Sequence, residues 1–411
     1  LKTLMTKQET QLQNLDISKL ETLNVIMAGH IDHGKTTLLE KLSGKWTDTH
    51  SEELKRGITI KLGYSDIVIY HDKKEGYNRE GKGQALRYVS FVDAPGHEML
   101  MATMLSGAAI VDAALLIIAA NEGIKPQTKE HLMALQIKNI ENIIVIQNKV
   151  DLVKIEEAKK SYEEIKKSLK GTIAENSPII PVSAQQVINI EKIYEEICKI
   201  KIPERNINAE PIFLVARSFD INRPGTKPAD LHGAVLGGTL KQGILKEGEE
   251  IEIKPGLIIK EANQIKYKTI KTKIKSLYKG SYKMKEIMPG GSLSIETELD
   301  MAMGKADSLA GSIVSLQNKL PEITSDIKIR YSIFPEIFGV SSKTEVKPLK
   351  TMETLMLSIN TSVTLGIIKK LTNNEAELSL KIPIVPFKKE KVGIARNING
   401  HWRLIGYGEI I

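Results

Sequence analysis

The octapeptide Gly29-His30-Ile31-Asp32-His33-Gly34-Lys35-Thr36 follows the apolar run Val25-Ile26-Met27 and leads into Thr37-Leu38-Leu39-Glu40-Lys41-Leu42. A strand, a glycine turn and a helix start stand in that order, which predicts a phosphate-binding loop in an α/β domain. Backbone N–H groups of such a loop, spread over Gly29 to Thr37 and helped by the positive end of the helix dipole, surround a β-phosphate. Lys35 would reach the β/γ oxygens and the Thr36 hydroxyl would ligate magnesium. Glycine suits positions 29 and 34, where a Cβ would hold the phosphate off the amides or forbid a positive φ. The implied ligand is a nucleoside triphosphate.

The base is read farther along the chain. Ile143-Ile144-Val145-Ile146 delivers Asn148-Lys149-Val150-Asp151 at its carboxyl end, where open α/β sheets hold ligands. Asp151 can accept two hydrogen bonds from the N1 and N2 donors of guanine, a pair adenine lacks. Lys149 would pack its stem on the purine, and Asn148 would tie this loop to the phosphate loop. A second buried run, Ile179-Ile180-Pro181-Val182, ends in Ser183-Ala184-Gln185, where a backbone amide would meet the guanine O6.

Between these motifs, Tyr88-Val89-Ser90-Phe91-Val92 ends in Asp93-Ala94-Pro95-Gly96-His97. Asp93 would hold magnesium through a water, the Gly96 amide would touch the γ-phosphate, and His97 would orient the attacking water. Upstream, Glu53-Leu54-Lys55-Arg56-Gly57-Ile58-Thr59-Ile60 offers Thr59 as a ligand that completes the magnesium shell only when a γ-phosphate is present. Phosphoryl transfer to water needs positioning and charge neutralisation, so these few groups suffice for GTP hydrolysis, slow without an activating factor.

These motifs together resemble the translational GTPase family, which shares Gly-His-Ile/Val-Asp-His-Gly-Lys-Thr, Arg-Gly-Ile-Thr-Ile and Asp-x-Pro-Gly-His. Three stretches narrow the resemblance to the γ subunits of archaeal and eukaryotic translation initiation factor 2. They are His50 to Tyr64, Arg217-Ser218-Phe219-Asp220-Ile221-Asn222-Arg223-Pro224-Gly225-Thr226, and His401-Trp402-Arg403-Leu404-Ile405-Gly406-Tyr407-Gly408. The resemblance runs from about Asn24 to the carboxyl terminus. It implies that Thr36 and Thr59 hold the magnesium of the triphosphate state and that Asp32 and Gly57 hold a second one. It also places Ile31 and Ile58 in an apolar gate beside the catalytic His97.

The implied function is a GTP-dependent carrier of methionylated initiator tRNA to the small ribosomal subunit. In it the chain is the core subunit of a heterotrimer with α and β subunits, served by activating and exchange factors. Two readings stay open beside it: a factor delivering elongator or selenocysteinyl tRNA, and a structural guanine-nucleotide-binding scaffold. In relatives the CCA end of tRNA lies between the G domain and the first barrel, which makes Tyr64, Arg217 and the turn holding Gly237 and Gly238 candidates for tRNA contact. For Tyr64 a core strand position, and for the glycines hairpin geometry, are the competing explanations.

One departure stands out. Many relatives carry two Cys-x-x-Cys pairs between the first switch and the Asp-x-Pro-Gly strand. Here that interval, His71 to Gln84, has no cysteine, so no zinc is expected and His71 reads as a solvent-facing loop residue.

The 411 residues are too many for one small core. One cysteine, Cys198, excludes an intramolecular disulfide and suits a reducing cytosol; it reads as helix packing. A formal charge of +8 and a pI near 9.1 favour polyanionic partners such as tRNA and ribosomal RNA. The lysines at 266, 268, 271, 273 and 275 could line a phosphate backbone or form only a solvated face. Neither a signal-peptide pattern nor a bilayer-length apolar stretch is seen, so a cytoplasmic location without membrane contact is expected. Leu1 stands where a methionine would, so we expect residues missing or processed ahead of it.

The expected order is an N-terminal tail (1–23), a P-loop G domain of mostly parallel sheet wrapped by helices (24–204), and two β-barrels (209–320 and 321–411). The linker Pro203 to Pro211 separates the first barrel from the G domain. Within the G domain, the pattern from Ile155 to Leu169 predicts a helix.

Overall fold

The computed structural model describes residues 16–44, 62–94, 101–222, 225–227, 231–261, 264–338 and 344–411, with backbone alone at 260, 261, 264 and 265. The described residues fall into two compact units. One draws on the described residues within 1–97, 111–132 and 140–203, the other on those within 98–110, 133–139 and 204–411.

The first 199 residues supply β1 (Glu21–Gly29), α1 (Lys35–Ser43), β2 (Gly63–Asp72), β3 (Gly76–Asn78), β4 (Gln84–Asp93), α2 (Met101–Ala108) and β5 (Ala113–Ala119). They continue with α3 (Pro126–Ile137), β6 (Asn142–Asn148), α4 (Ile155–Leu169), β7 (Ile179–Pro181) and α5 (Ile190–Lys199). The seven strands form one sheet in the order β3-β2-β4-β1-β5-β6-β7. From β4 to β7 the pairings are parallel, while β2 runs antiparallel to β4 and β3 to β2. β1 is central and buried along all but its first residue, as a strand covered on both faces must be.

Helix ends follow local chemistry. Gly34 (φ +85°) and Gly44 (φ +72°) bound α1 in left-handed conformations, and the Gly44 N–H returns to the Glu40 carbonyl at 2.7 Å. α4 spans the predicted residues. It carries Glu156 and Glu157 in its first turn and Lys166 and Lys167 in its last, matching the helix dipole, and buries Ile165 and Leu169.

Two expectations change. β1 starts at Glu21, inside the stretch read as a tail, with Thr22 and Leu23 opposite Tyr88 and Val89. The polar Glu21 and Thr22 hide this strand start from a hydropathy reading, although Leu23 is fully buried. His71 is not in a loop. It is the penultimate residue of β2, opposite Tyr77, with the two ring centres 4.7 Å apart. The loop beyond is organised by the buried Asn78, whose Oδ1 accepts from the Glu80 and Lys82 amides and whose Nδ2 donates to the Lys82 carbonyl.

The second unit is built on strands. β8 (Ile212–Phe219), β9 (Val235–Gln242), β10 (Leu245–Lys246), β11 (Glu250–Glu261), β12 (Gln264–Lys279), β13 (Tyr282–Met284), β14 (Glu286–Ile287), β15 (Leu293–Thr297) and β16 (Ile313–Leu316) come first. The ring β11-β16-β8-β9-β15-β12 closes through β11–β12 pairing, β13 adds to β12, and β10 pairs with β14. Phe213, Leu236, Ile251, Ile274 and Val314 fill its core.

Then β17 (Thr324–Ile333), β18 (Thr354–Ile359), β19 (Ser362–Leu371), β20 (Glu375–Ile384), β21 (Lys391–Ile398) and β22 (His401–Ile410) close a second barrel in the order β17-β20-β19-β18-β21-β22. Closure leaves no unpaired sheet edge. The architecture is thus a mostly parallel sheet with helices followed by two six-stranded antiparallel barrels.

Candidate functional site

The phosphate loop leaves the carboxyl end of β1 beside β5. Gly29 has φ +139°, and a Cβ there would lie 2.3 Å from the Ile117 carbonyl oxygen. Glycine is therefore required by the approach of the neighbouring strand, before any phosphate is considered. At Gly34 a Cβ would lie 2.5 Å from Asn148 Nδ2. Asp32 is exposed and holds a left-handed φ of +60°, a conformation its short polar side chain tolerates. Ile31 is half-buried, as is Thr37.

Lys35 is buried and its Nζ donates to the His30 carbonyl at 2.8 Å, spanning the loop it would share with a phosphate. The Thr36 hydroxyl donates to Asp93 Oδ2 at 3.0 Å, so these two predicted magnesium groups meet although 57 residues separate them. His33 turns inward. Its ring is fully buried, with Nδ1 3.3 Å from the Ile117 carbonyl, so only its backbone is available to a ligand. Burial holds the His33 imidazole down to a pKa of about 4, neutral at ordinary pH.

The base loops converge on the phosphate loop through Asn148. This side chain is 2% exposed. Its Nδ2 donates to the His33 carbonyl at 2.9 Å and its Oδ1 accepts from the Ala184 amide at 3.1 Å. Lys149 adopts φ +62° and its Nζ lies 3.8 Å from Glu122 Oε1. Asp151 sits exposed in a single 3-10 turn, open to a ligand. Ser183 is fully buried and its Oγ accepts from the Gln186 amide, while Gln185 is exposed.

Two contributors carried no motif signal. Glu122 lies 3.8 Å from Lys149, 3.5 Å from Lys125 and 4.0 Å from His33 Nε2. His131, on α3, accepts the Gly29 N–H at 2.9 Å. His131 and Gly29, and Glu122 and His33, stand far apart in sequence, and no spacing rule marks these pairs.

Gly57, Ile58 and Thr59, and Gly96 with His97, lie outside the described residues. Tyr64 is half-buried on β2 opposite Val92. Arg217 and Gly237 pair across β8 and β9. The Arg217 Nε donates to Asp307 Oδ1 at 2.8 Å and its guanidinium lies 5.0 Å from the Phe219 ring centre. A Cβ on Gly238 would lie 1.9 Å from the Leu214 carbonyl oxygen, so barrel packing alone demands that glycine. All five lysines at 266, 268, 271, 273 and 275 are exposed on β12, with Lys275 3.1 Å from Glu296. Cys198 is half-buried in α5, and burial raises its thiol to about 11, which removes it as a nucleophile. Among the described residues no cluster of three or more His, Cys, Asp or Glu is placed to hold a metal ion, and no helix is long and apolar enough to cross a membrane.

A phosphate loop joined to an Asn-Lys-x-Asp loop on a mostly parallel sheet, with two barrels following, defines a GTPase of the elongation factor Tu type. Residues 20–203 match the family model "Elongation factor Tu GTP binding domain", and residues 325–410 match "Initiation factor eIF2 gamma, C terminal". Along 96% of its length the chain is 48% identical to translation initiation factor 2 subunit gamma of Methanocaldococcus jannaschii, covering 98% of that protein. It is 47% identical to the protein of the same name from Pyrococcus furiosus, over 94% of this chain and 97% of that one. The chain belongs to the translation initiation factor 2 subunit gamma family.

Solved structures agree on the fold. A bacterial selenocysteine-specific elongation factor superposes with a TM-score of 0.74 at 22% identity, covering 95% of this chain and 58% of that one. The elongation factor SelB of Methanococcus maripaludis in complex with the GTP analogue GppNHp gives 0.71 at 23% identity, covering 95% and 79%.

Proposed function

We propose that this chain is the GTP-dependent carrier of methionylated initiator tRNA to the small ribosomal subunit, the core of a heterotrimer with α and β subunits. GTP hydrolysis then drives release. The observation that carries this reading is the full-length similarity to initiation factor 2 γ subunits, joined to a site in which Asn148 locks the base loops onto the phosphate loop. A cytoplasmic place follows from that role.

In this reading Gly29 to Thr37 cradle the phosphates, Lys35 leaves the His30 carbonyl for the β/γ oxygens, and Asp151 selects guanine. Magnesium fits the pair Thr36 and Asp93, hard oxygen groups already 3.0 Å apart at the end of β4, with Asp93 acting through a water. When bound there, the ion would supply charge neutralisation for phosphoryl transfer. Thr59 completes that shell in the triphosphate state, and Asp32 with Gly57 would hold a second ion. Gly96 touches the γ-phosphate and His97 orients water. Tyr64, Arg217, Gly237 and Gly238 remain our candidates for the tRNA end, with Arg217 reaching it only by leaving Asp307.

The test is competition between initiator and elongator tRNAs for the heterotrimer bound to a GTP analogue. Preference for methionylated initiator tRNA is expected. A preference for elongator or selenocysteinyl tRNA would move the chain to an elongation role, and equal tRNA binding when GDP replaces the analogue would make it a structural scaffold.

A further inference from the structure

Three imidazoles gather beneath the phosphate loop. His30 and His33 meet edge to face at 5.1 Å, and His131 of α3 reaches the loop's first residue. We propose that His131 is a positioning residue for nucleotide binding: by accepting the Gly29 N–H it fixes the point at which β1 turns into the phosphate loop. This deepens, and rests on, the reading of Gly29 to Thr36 as the guanine-nucleotide site.

The geometry makes Gly29 a pivot. It is the last residue of β1, pairs with Ile117 of β5, and has no room for even a Cβ on that side. Its N–H points into the protein, where it needs an acceptor. The acceptor is His131 Nδ1 at 2.9 Å, on a side chain 2% exposed and 102 residues away in sequence. The next carbonyl along the chain, that of His30, holds Lys35 Nζ at 2.8 Å. A shift at Gly29 is therefore passed within one residue to the lysine that meets the phosphates.

The role demands a neutral ring. Nδ1 accepts only if the proton sits on Nε2, and an imidazolium accepts nothing. Burial, aided by the nearby charges of Lys35 and His30, pushes the His131 pKa down to about 3. The acceptor is thus present at every physiological pH. His131 touches no phosphate in this arrangement, so it acts through Gly29 and not on the reacting atoms.

A buried ring on α3 also packs, and two substitutions separate packing from positioning. H131N keeps an acceptor close to the Nδ1 position but discards the ring; H131F keeps the ring and discards the acceptor. With fluorescent GDP and GTP-analogue binding as readout, H131F should lose roughly 5- to 100-fold in affinity, the range expected when a buried amide is orphaned. H131N should stay within about threefold of the wild type. Equal loss in both variants, or wild-type affinity in H131F, would overturn the proposal. Should H131F not fold, nitrogen-15 spectra of the histidines in the wild type decide it: a neutral Nε2–H tautomer at His131 from pH 7 to 5 is expected, and an Nδ1–H tautomer or imidazolium would refute it. Failure of the wild type itself to bind guanine nucleotide would instead defeat the underlying site assignment.

Discussion

Removing the Asn148 side chain isolates the contact on which the nucleotide site depends. N148A deletes the donor to the His33 carbonyl and the acceptor for the Ala184 amide, bonds of 2.9 and 3.1 Å made by a side chain 2% exposed. Both partner groups lose their hydrogen bond in the interior. An orphaned buried polar group costs about 1–3 kcal/mol, so two cost about 2–4 kcal/mol once some relaxation is allowed. The two loops touch each other through this amide, and without it each can relax toward water in the empty protein. A nucleotide must then draw them back together, so the cost falls on affinity more than on folding.

The expected result is weaker binding of both GDP and GTP by roughly 30- to 1,000-fold, read as faster dissociation of a fluorescent guanine nucleotide. The thermal midpoint of the nucleotide-free protein should change far less. GDP affinity within threefold of the wild type would refute the argument, as would a loss confined to GTP. N148D provides a control: it retains the acceptor for Ala184, sets a charge against the His33 carbonyl, and should be no better than alanine.

Three further outcomes follow from the same site and its scaffold. D151N replaces an acceptor by an amide that donates where xanthine presents an oxygen, so GTP affinity should fall and xanthosine triphosphate affinity rise; an unchanged base preference would show that Asp151 does not read the base. His33 and His131 have pKa values pushed by burial to about 4 and about 3, below the ordinary 6.5, so the unfolded chain takes up their protons first as pH falls. Their stabilising contribution is complete above pH 6.5 and declines below it, by about 1.4 kcal/mol per pH unit for each unfolded histidine that is charged; urea unfolding at pH 7.5 and 5.5 checks this, and equal stability at both would contradict it. G238A places a Cβ 1.9 Å from the Leu214 carbonyl oxygen in the closed first barrel and should destabilise it by about 1–3 kcal/mol, seen as a lower thermal midpoint; an unshifted midpoint would show that the strands part freely.

What the sequence announces here is what repeats locally. The strand, loop and helix around Gly29 to Thr36 are legible because apolar run, glycines and helix pattern are contiguous. Ile155 to Leu169 is legible because its buried Ile165 and Leu169 lie at helical spacing, with charges suited to each end. The barrels show as alternating segments between glycine turns, and their closure follows from pairings such as β17 with β22 that no single segment reveals.

The site was less legible wherever a contact joins distant segments. His33 reads as a loop histidine, yet its ring points inward to Ile117; a residue in a turn has no periodicity to say which way it faces. His131 belongs to no motif in the sequence, and only the fold brings it to the Gly29 N–H. Gly238 reads as a possible approach for a nucleotide, whereas the nearby Leu214 carbonyl already requires it to lack a side chain.

In the proposed role a γ-phosphate sets the grip on a charged initiator tRNA. The most direct test of that role is the rate at which the methionyl ester of initiator tRNA hydrolyses in the presence of the heterotrimer, with a GTP analogue in one sample and GDP in the other. Protection at least tenfold stronger with the analogue, about 1.4 kcal/mol of coupling, is the predicted result. Equal protection by both nucleotides would contradict it.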